Sequence, residues 1–265
     1  MGKEILSLGG GIQSFTLFLK NLHDEVKPRC DAAIFADTGW ERDATYEAID
    51  FLRSYAEPFG VPVHTVSNGS LREYSICNTR GLPVAIPFFV KGKHGNRGML
   101  RRQCTSKFKI RPINRKLREM GATRKNPFTV QIGISVDEAS RMRPSQVQYV
   151  VHRYPLVEER VNRAACYHWL ETNGFYAPVR SACKGCPYRS DAEWRALTDS
   201  EFEDVKDFER QAQALGMSYR GEGYENAIPY LHGSLESITT RPFDNQSPDQ
   251  LDFLKDEECE GGCFL

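Results

Sequence analysis

Short apolar runs and helical apolar stripes take turns along this chain. Ile5-Leu6-Ser7-Leu8 is an apolar run that predicts a strand. Gly9-Gly10-Gly11 follows, and then Ile12, Phe15, Leu19 and Leu22, spaced three, four and three, which predicts a helix with one buried face. Residues 32–36 read as a second, fully buried strand closing on Asp37-Thr38-Gly39-Trp40-Glu41, and Tyr46, Ile49 and Leu52 mark a second helix. Residues 61–66 predict a third strand. A helix through Ile113, Leu117 and Met120 leads to a buried strand over 128–134, an apolar segment at 149–151 and a helix over 162–172. Strand and helix in alternation predict an α/β fold, a doubly wound, mostly parallel Rossmann-like sheet, with a largely helical C-terminal part. Residues 67–103 carry no such period, and their breaker-rich stretches predict a long irregular insertion.

The glycine turn between strand one and helix one is the first candidate site. Glycines there let backbone N–H groups close on an anion, and the helix dipole adds favourable potential. The plainer alternative is a tight strand–helix turn with no ligand. A Walker loop ends Gly-Lys-Ser/Thr, whereas this one ends Gln13-Ser14; a dinucleotide fingerprint needs a third spaced glycine where Ser14 stands. Asp37–Glu41 and the end of strand 128–134 lie at the same edge of such a sheet, where ligands bind. Polar side chains there suit an adenine or ribose, although Asp37 and Thr38 also suit a helix cap.

Composition narrows the class. A 265-residue chain with 40% hydrophobic and 26% charged residues suits one sizeable core with an appendage. The motif order divides it into a nucleotide-binding region over 1–160, carrying a basic lid at 67–103, and a helical region over 161–265. No apolar run approaches the ~18 residues of a membrane span, so no membrane partner is expected. No secretory signal is visible, and the expected location is cytoplasmic. Eight cysteines then point to metal or redox chemistry rather than disulfides. Net charge is zero, yet Lys91 to Lys125 holds thirteen Lys and Arg against the single acid Glu119. Such a block points to an anionic partner; a solvated basic face is the alternative.

Cys183 and Cys186 form a Cys-x-x-Cys pair, and Cys104 lies 79 residues upstream of it. The pair alone fits half a zinc site, a dithiol or part of an iron–sulfur cluster. Zinc with His168 as a further ligand is one alternative. Cys166, beside Trp169 and Leu170 on a helix, reads as core, and Cys30 and Cys77 as structural.

These segments together resemble the PP-loop ATP pyrophosphatase (adenine nucleotide alpha-hydrolase) superfamily, and within it the phosphoadenosine phosphosulfate reductase-like family. Gly9–Ser14 occupies the PP-loop window, with Gln13 in place of the usual Asp. Asp37-Thr38-Gly39-Trp40-Glu41 is similar to the family's second nucleotide motif, and Gly133–Arg141 to its Gly-Ile-x-x-Asp-Glu-x-x-Arg segment. Lys109 and Pro112 match the motif that follows the family's Cys-Cys, whose first cysteine is Gln103 here. The resemblance implies ATP with magnesium on Ser7, Gly9, Gly10, Gly11, Gln13 and Ser14. Asp37, Thr38, Gly39, Glu41, Gly133, Asp137 and Glu138 complete that nucleotide site. It implies a four-iron four-sulfur cluster on Cys104, Cys183 and Cys186, as in the three-cysteine clusters of PP-loop tRNA thiolases. A ligand from Cys259 or Cys263 would close the iron that three cysteines leave open.

The activity so implied is ATP-dependent sulfur insertion into nucleic acid through an adenylated intermediate. Lys107, Lys109 and Arg141 would neutralise phosphate charge. DNA phosphorothioation leads and tRNA thiolation follows, with sulfur from a donor such as a cysteine desulfurase; a homodimer is left open. Glu258-Cys259 also resembles the tail of sulfonucleotide reductases, which makes Cys259 the catalytic thiol of the rival reading, with thioredoxin as partner. A nucleotide-fold protein that binds nucleic acid without turnover is the non-enzymatic alternative.

Overall fold

A computed structural model of the chain describes residues 2–76, 85–91, 97–215 and 227–243. In chain order its elements are β1 (Glu4–Leu8), α1 (Ile12–Leu22), β2 (Ala32–Asp37), α2 (Asp43–Ala56), β3 (Val63–Ser67), α3 (Leu71–Ile76), β4 (Phe89–Lys91), β5 (Arg97–Met99), α4 (Arg111–Glu119), β6 (Phe128–Ile132), β7 (Val150–Arg153), α5 (Pro155–Glu158), α6 (Arg163–Thr172), α7 (Asp191–Arg195), α8 (Asp199–Ala214) and β8 (Ile228–Tyr230). A π-helical turn, Thr105–Ile110, leads into α4, and a 3-10 turn, Val136–Arg141, follows β6.

Five strands form one all-parallel sheet in the order β3-β2-β1-β6-β7, the Rossmann-like α/β fold that the alternation of elements predicts. The chain steps outward from β1 to β2 and β3, then returns on the other side of β1 as β6. The crevice between β1 and β6 is therefore the topological switch point, where open α/β sheets take ligands. Strand alternation builds two cores. Leu6, Leu8 and Phe35 pack against Phe15, Leu19, Ile49, Leu52 and Leu170 of the helices on one face, and Ile5, Ile34 and Val130 against Leu117 of α4 on the other. Each such buried side chain contributes about 1.5–3 kcal/mol.

Asn21 and Gln131 are buried in this core with their amides hydrogen-bonded. Asn21 donates to the Leu17 carbonyl and to Gln131 Oε1, both at 2.9 Å, and accepts the Cys30 N–H at 2.8 Å. Gln131 in turn donates to the Pro28 carbonyl at 2.9 Å. Cys30 and Cys166 are buried, as read from the sequence, and burial pushes their thiols up to about 12 and about 11. Both stay protonated at neutral pH and act as packing groups. Cys77 lies outside the described residues.

The chain divides into two compact units. One draws on the described residues of Met1–Asn68 and Thr105–Ser181, the other on those of Gly69–Cys104 and Ala182–Glu260. α6 puts Cys166 and Leu170 into the first unit's core. The expectation of an irregular 67–103 needs correction. Among its described residues are α3, β4 and β5, and β4 pairs with both β5 and β8 in a three-stranded antiparallel sheet. The pairing Phe89↔Tyr230 joins strands far apart in sequence, so no local window reveals it. Phe88 stacks on Phe208, and Arg72 of α3 bonds Asp204 and Asp207 of α8 at 2.8 and 2.6 Å.

A buried ionic cluster pins the end of the second unit. Asp191 accepts from His232 Nε2 at 2.9 Å and from Arg241 at 3.1 Å, while the Ser234 N–H donates to His232 Nδ1 at 3.0 Å. That network places the imidazole hydrogen on Nε2 and keeps the ring neutral. Burial holds the His232 pKa below its ordinary 6.5, against the opposing pull of Asp191. A depressed histidine pKa means the unfolded chain gains a proton first as pH falls through 6.5. Denaturant unfolding of this unit should therefore show lower stability at pH 5.5 than at pH 7.5, and His232→Gln should flatten that dependence.

Candidate nucleotide site and cysteine set

The glycine turn closes directly on β1. Gly10 has φ +74°, the left-handed region that side chains resist. Gly11 is the N-cap of α1, and no side chain caps the helix. Ser14 ties the turn together instead: its hydroxyl accepts the Gly9 N–H and donates to the Gly11 carbonyl, both at 3.1 Å. From the other side of the switch point, Gly133 follows β6. A Cβ at Gly133 would stand 2.6 Å from the Ser14 nitrogen, so glycine here permits the close approach of β6 and α1. Gln13 Nε2 reaches Ser135 Oγ at 3.5 Å across the same junction.

Beside the turn a cleft opens at the carboxyl ends of β1 and β2, lined by Ser7, Leu8, Gly9, Phe35, Ala36, Lys109 and Ile113. The π-helical turn delivers Lys109 there, and its ammonium lies 3.4 Å from Glu41, which is 1% exposed. Thr38 donates to the same carboxylate at 2.9 Å. Asp37 accepts the Gly39 N–H at 2.7 Å and the Tyr46 hydroxyl at 2.8 Å, and the N-cap of α2 is Arg42, so Asp37 is not a helix cap. Burial, reinforced by Asp37, raises the Tyr46 pKa, so the phenol stays a donor. Lys107 lies in the same π-helical turn, where its carbonyl accepts from Asn68 at 3.2 Å.

Three further sequence-derived residues are engaged at the end of β6. Asp137 accepts the Arg163 N–H at 3.1 Å at the start of α6, and Arg141 pairs with Glu138 at 2.8 Å. The nucleotide-site residues therefore fall into two sets in the first unit: one around the glycine turn and its cleft, one on the 3-10 turn after β6.

Cys104, Cys183 and Cys186 all belong to the second unit and form no disulfide. The Cys186 N–H donates to the Cys183 carbonyl at 3.1 Å, a turn that carries both thiols. Arg189, 2% exposed, fastens that turn by donating to the Ala182, Cys183 and Lys184 carbonyls at 3.2, 2.9 and 3.2 Å. Cys104 is held through its N–H on the Ala85 carbonyl at 2.9 Å. Among the described residues, no group of three or more His, Cys, Asp or Glu side chains is gathered to hold a metal ion. His168 lies on α6 of the first unit, and Cys259 and Cys263 lie outside the described residues. Sequence reasoning missed Ser181 and Thr45, which meet the glycine turn from remote segments, and Arg189, which grips carbonyls five to seven residues before it; none sits in a recognisable spacing.

No family model matches the sequence, and no curated protein does. Among solved structures, the U34-tRNA thiolase NcsA from Methanococcus maripaludis, with its four-iron four-sulfur cluster, matches at 16% identity. The match covers 79% of this chain and 71% of that one, with a TM-score of 0.42. A likeness of that degree assigns neither family nor activity. No helix among the described residues is long and apolar enough to cross a membrane.

Proposed function

We propose that this chain is an ATP-dependent sulfurtransferase of the PP-loop type that inserts sulfur into nucleic acid, with a DNA phosphate as acceptor. The observation that carries the reading is the glycine turn at the carboxyl end of the central strand, followed by a helix that no side chain caps. Backbone N–H groups and the helix dipole favour phosphate there. The nucleotide's base lies near Asp37–Glu41, and magnesium accompanies its phosphates. An oxygen of the acceptor phosphate attacks the alpha phosphorus of ATP. The bond to the bridging oxygen breaks, pyrophosphate leaves with the electron pair, and the acceptor is adenylated. Sulfur then attacks the acceptor phosphorus and AMP departs. Lys107, Lys109 and Arg141 neutralise charge as it develops.

Sulfur reaches this step from the cysteine set. An iron–sulfur cluster on Cys104, Cys183 and Cys186 is the carrier the resemblance implies. The described residues gather no such ligand group, so the steps proposed here use the thiols. A donor such as a cysteine desulfurase loads Cys183 as a persulfide, whose outer sulfur attacks the adenylated acceptor. The Cys186 thiolate then attacks the Cys183 sulfur, forms a disulfide and releases the phosphorothioate; an external dithiol resets the pair.

The basic block supports a polyanionic acceptor. Lys91 and Arg97 stand directly opposite each other on β4 and β5, both exposed. Like charges so placed repel, and a bound phosphate relieves them. Replacing both with Ala should lower the slope of log affinity against log salt by roughly 0.9 for each duplex phosphate no longer neutralised. The deciding assay supplies ATP, magnesium and a sulfur donor with duplex DNA or with tRNA. AMP and pyrophosphate released only with DNA support the reading, release only with tRNA moves the acceptor to tRNA, and sulfite from a sulfonucleotide with thioredoxin overturns it.

A further inference from the structure

Two hydroxyl side chains that the nucleotide motifs do not include stand against the glycine turn. A Cβ on Gly11 would lie 3.3 Å from Ser181 Oγ and 3.7 Å from the Ser181 nitrogen. On Gly10 it would lie 2.8 Å from Thr45 Cγ2 and 3.8 Å from Ser181 Cβ. Thr45 comes from the first turn of α2, whereas Ser181 comes from the segment beyond α6. Ser181 thus presents a hydroxyl and a backbone nitrogen to the turn. Thr45 is 1% exposed, and its hydroxyl has no hydrogen-bond partner among the described residues.

We propose that Ser181 is a hydroxyl ligand of the pyrophosphate end of the nucleotide, while Thr45 packs its methyl behind Gly10, an inference that rests on the ATP reading of the glycine turn. A triphosphate is too long for one helix N-terminus to bond all its oxygens. Gly10 and Gly11 lack Cβ atoms, so chain from two other elements can approach the turn closely. Hydroxyl donors suit this place because they bond phosphate oxygens without adding charge. They also follow the negative charge that grows on pyrophosphate as it leaves. The same contact explains both glycines, since a side chain at either would meet Thr45 or Ser181.

Calorimetry with ATP, inorganic pyrophosphate and AMP, on the whole chain, tests this. Ser181→Ala should weaken ATP and pyrophosphate about tenfold, the scale of one hydrogen bond to a charged group, and leave AMP within about twofold. Equal weakening of AMP and ATP, or no weakening in the variant of a protein that binds ATP, overturns the assignment. A native protein that binds neither ATP nor pyrophosphate overturns the nucleotide reading itself, and the assignment with it.

Discussion

Gly10→Val abolishes ATP binding in a chain that still folds. Gly10 sits at φ +74°, where an L side chain costs about 1–2 kcal/mol before any contact is considered. Its first carbon would stand 2.8 Å from Thr45 Cγ2, so either the turn or α2 must move. The second branch of valine fills the space where backbone N–H groups would meet phosphate. These costs fall on a turn at the edge of the sheet and are smaller than the ~5–15 kcal/mol of a typical domain, so the sheet survives. The expected loss is at least about 100-fold in ATP affinity, roughly 2.7 kcal/mol or more, measured by calorimetry. Gly133→Ala should also weaken ATP, because Ser14 ties the glycine turn together, but with a larger cost in stability. Its Cβ would press on backbone atoms of Ser14 at 2.6 and 2.7 Å, which no rotamer relieves, so its principal loss is thermal stability. Unchanged ATP affinity in a folded Gly10→Val protein would remove the phosphate site from the turn.

Cys183→Ala should stop sulfur transfer while ATP binding persists. Removing a nucleophile that makes the covalent intermediate costs at least about 1000-fold in rate. The proposed phosphate contacts are backbone N–H groups and hydroxyls, not thiols, so ATP binding should persist when the Cys183 thiol is removed. Adenylated acceptor should accumulate, because its formation needs no thiol. Cys186→Ala should instead trap sulfur between Cys183 and the acceptor as a mixed species that reductant releases. Cys166→Ala serves as control: that thiol is buried and protonated, so its loss should lower stability and spare transfer. Iron and sulfide analysis of anaerobically purified protein separates the two carriers. Iron at cluster stoichiometry that disappears in Cys104→Ala moves the sulfur from the thiols to a cluster, and full transfer without metal keeps it on the thiols.

Reading the chain from its apolar pattern was dependable where one element meets its neighbours in order. Ile12, Phe15, Leu19 and Leu22 are all buried on α1, and residues 32–36 and 128–132 are strands, because period and local contact agree there. The apolar segment at 149–151 found its place as β7 at the sheet's edge, with the strand itself running to Arg153. Residues 67–103 went the other way. Their strands are only three residues long, and β4 pairs with β8, remote in sequence, so no period of two could develop.

The candidate site divides along the same line. Three glycines between an apolar run and a helical stripe, and three cysteines at their spacing, are properties of the sequence. The α/β class follows from the alternation of strands and helices, and the glycine turn and cysteine spacing supply the proposed phosphate and thiol sites, since backbone freedom and sulfur reactivity are local. Tertiary structure alone decided that β1 is central and that Gly133 of β6 abuts Ser14. It also turned Asp137 to the start of α6 and brought Lys109 to Glu41. Ser181 reached the glycine turn in the same way, from a stretch with no motif of its own. Those contacts join segments tens of residues or more apart. Which partners meet is set by how the two faces of the sheet bury their helices, not by any short spacing along the chain.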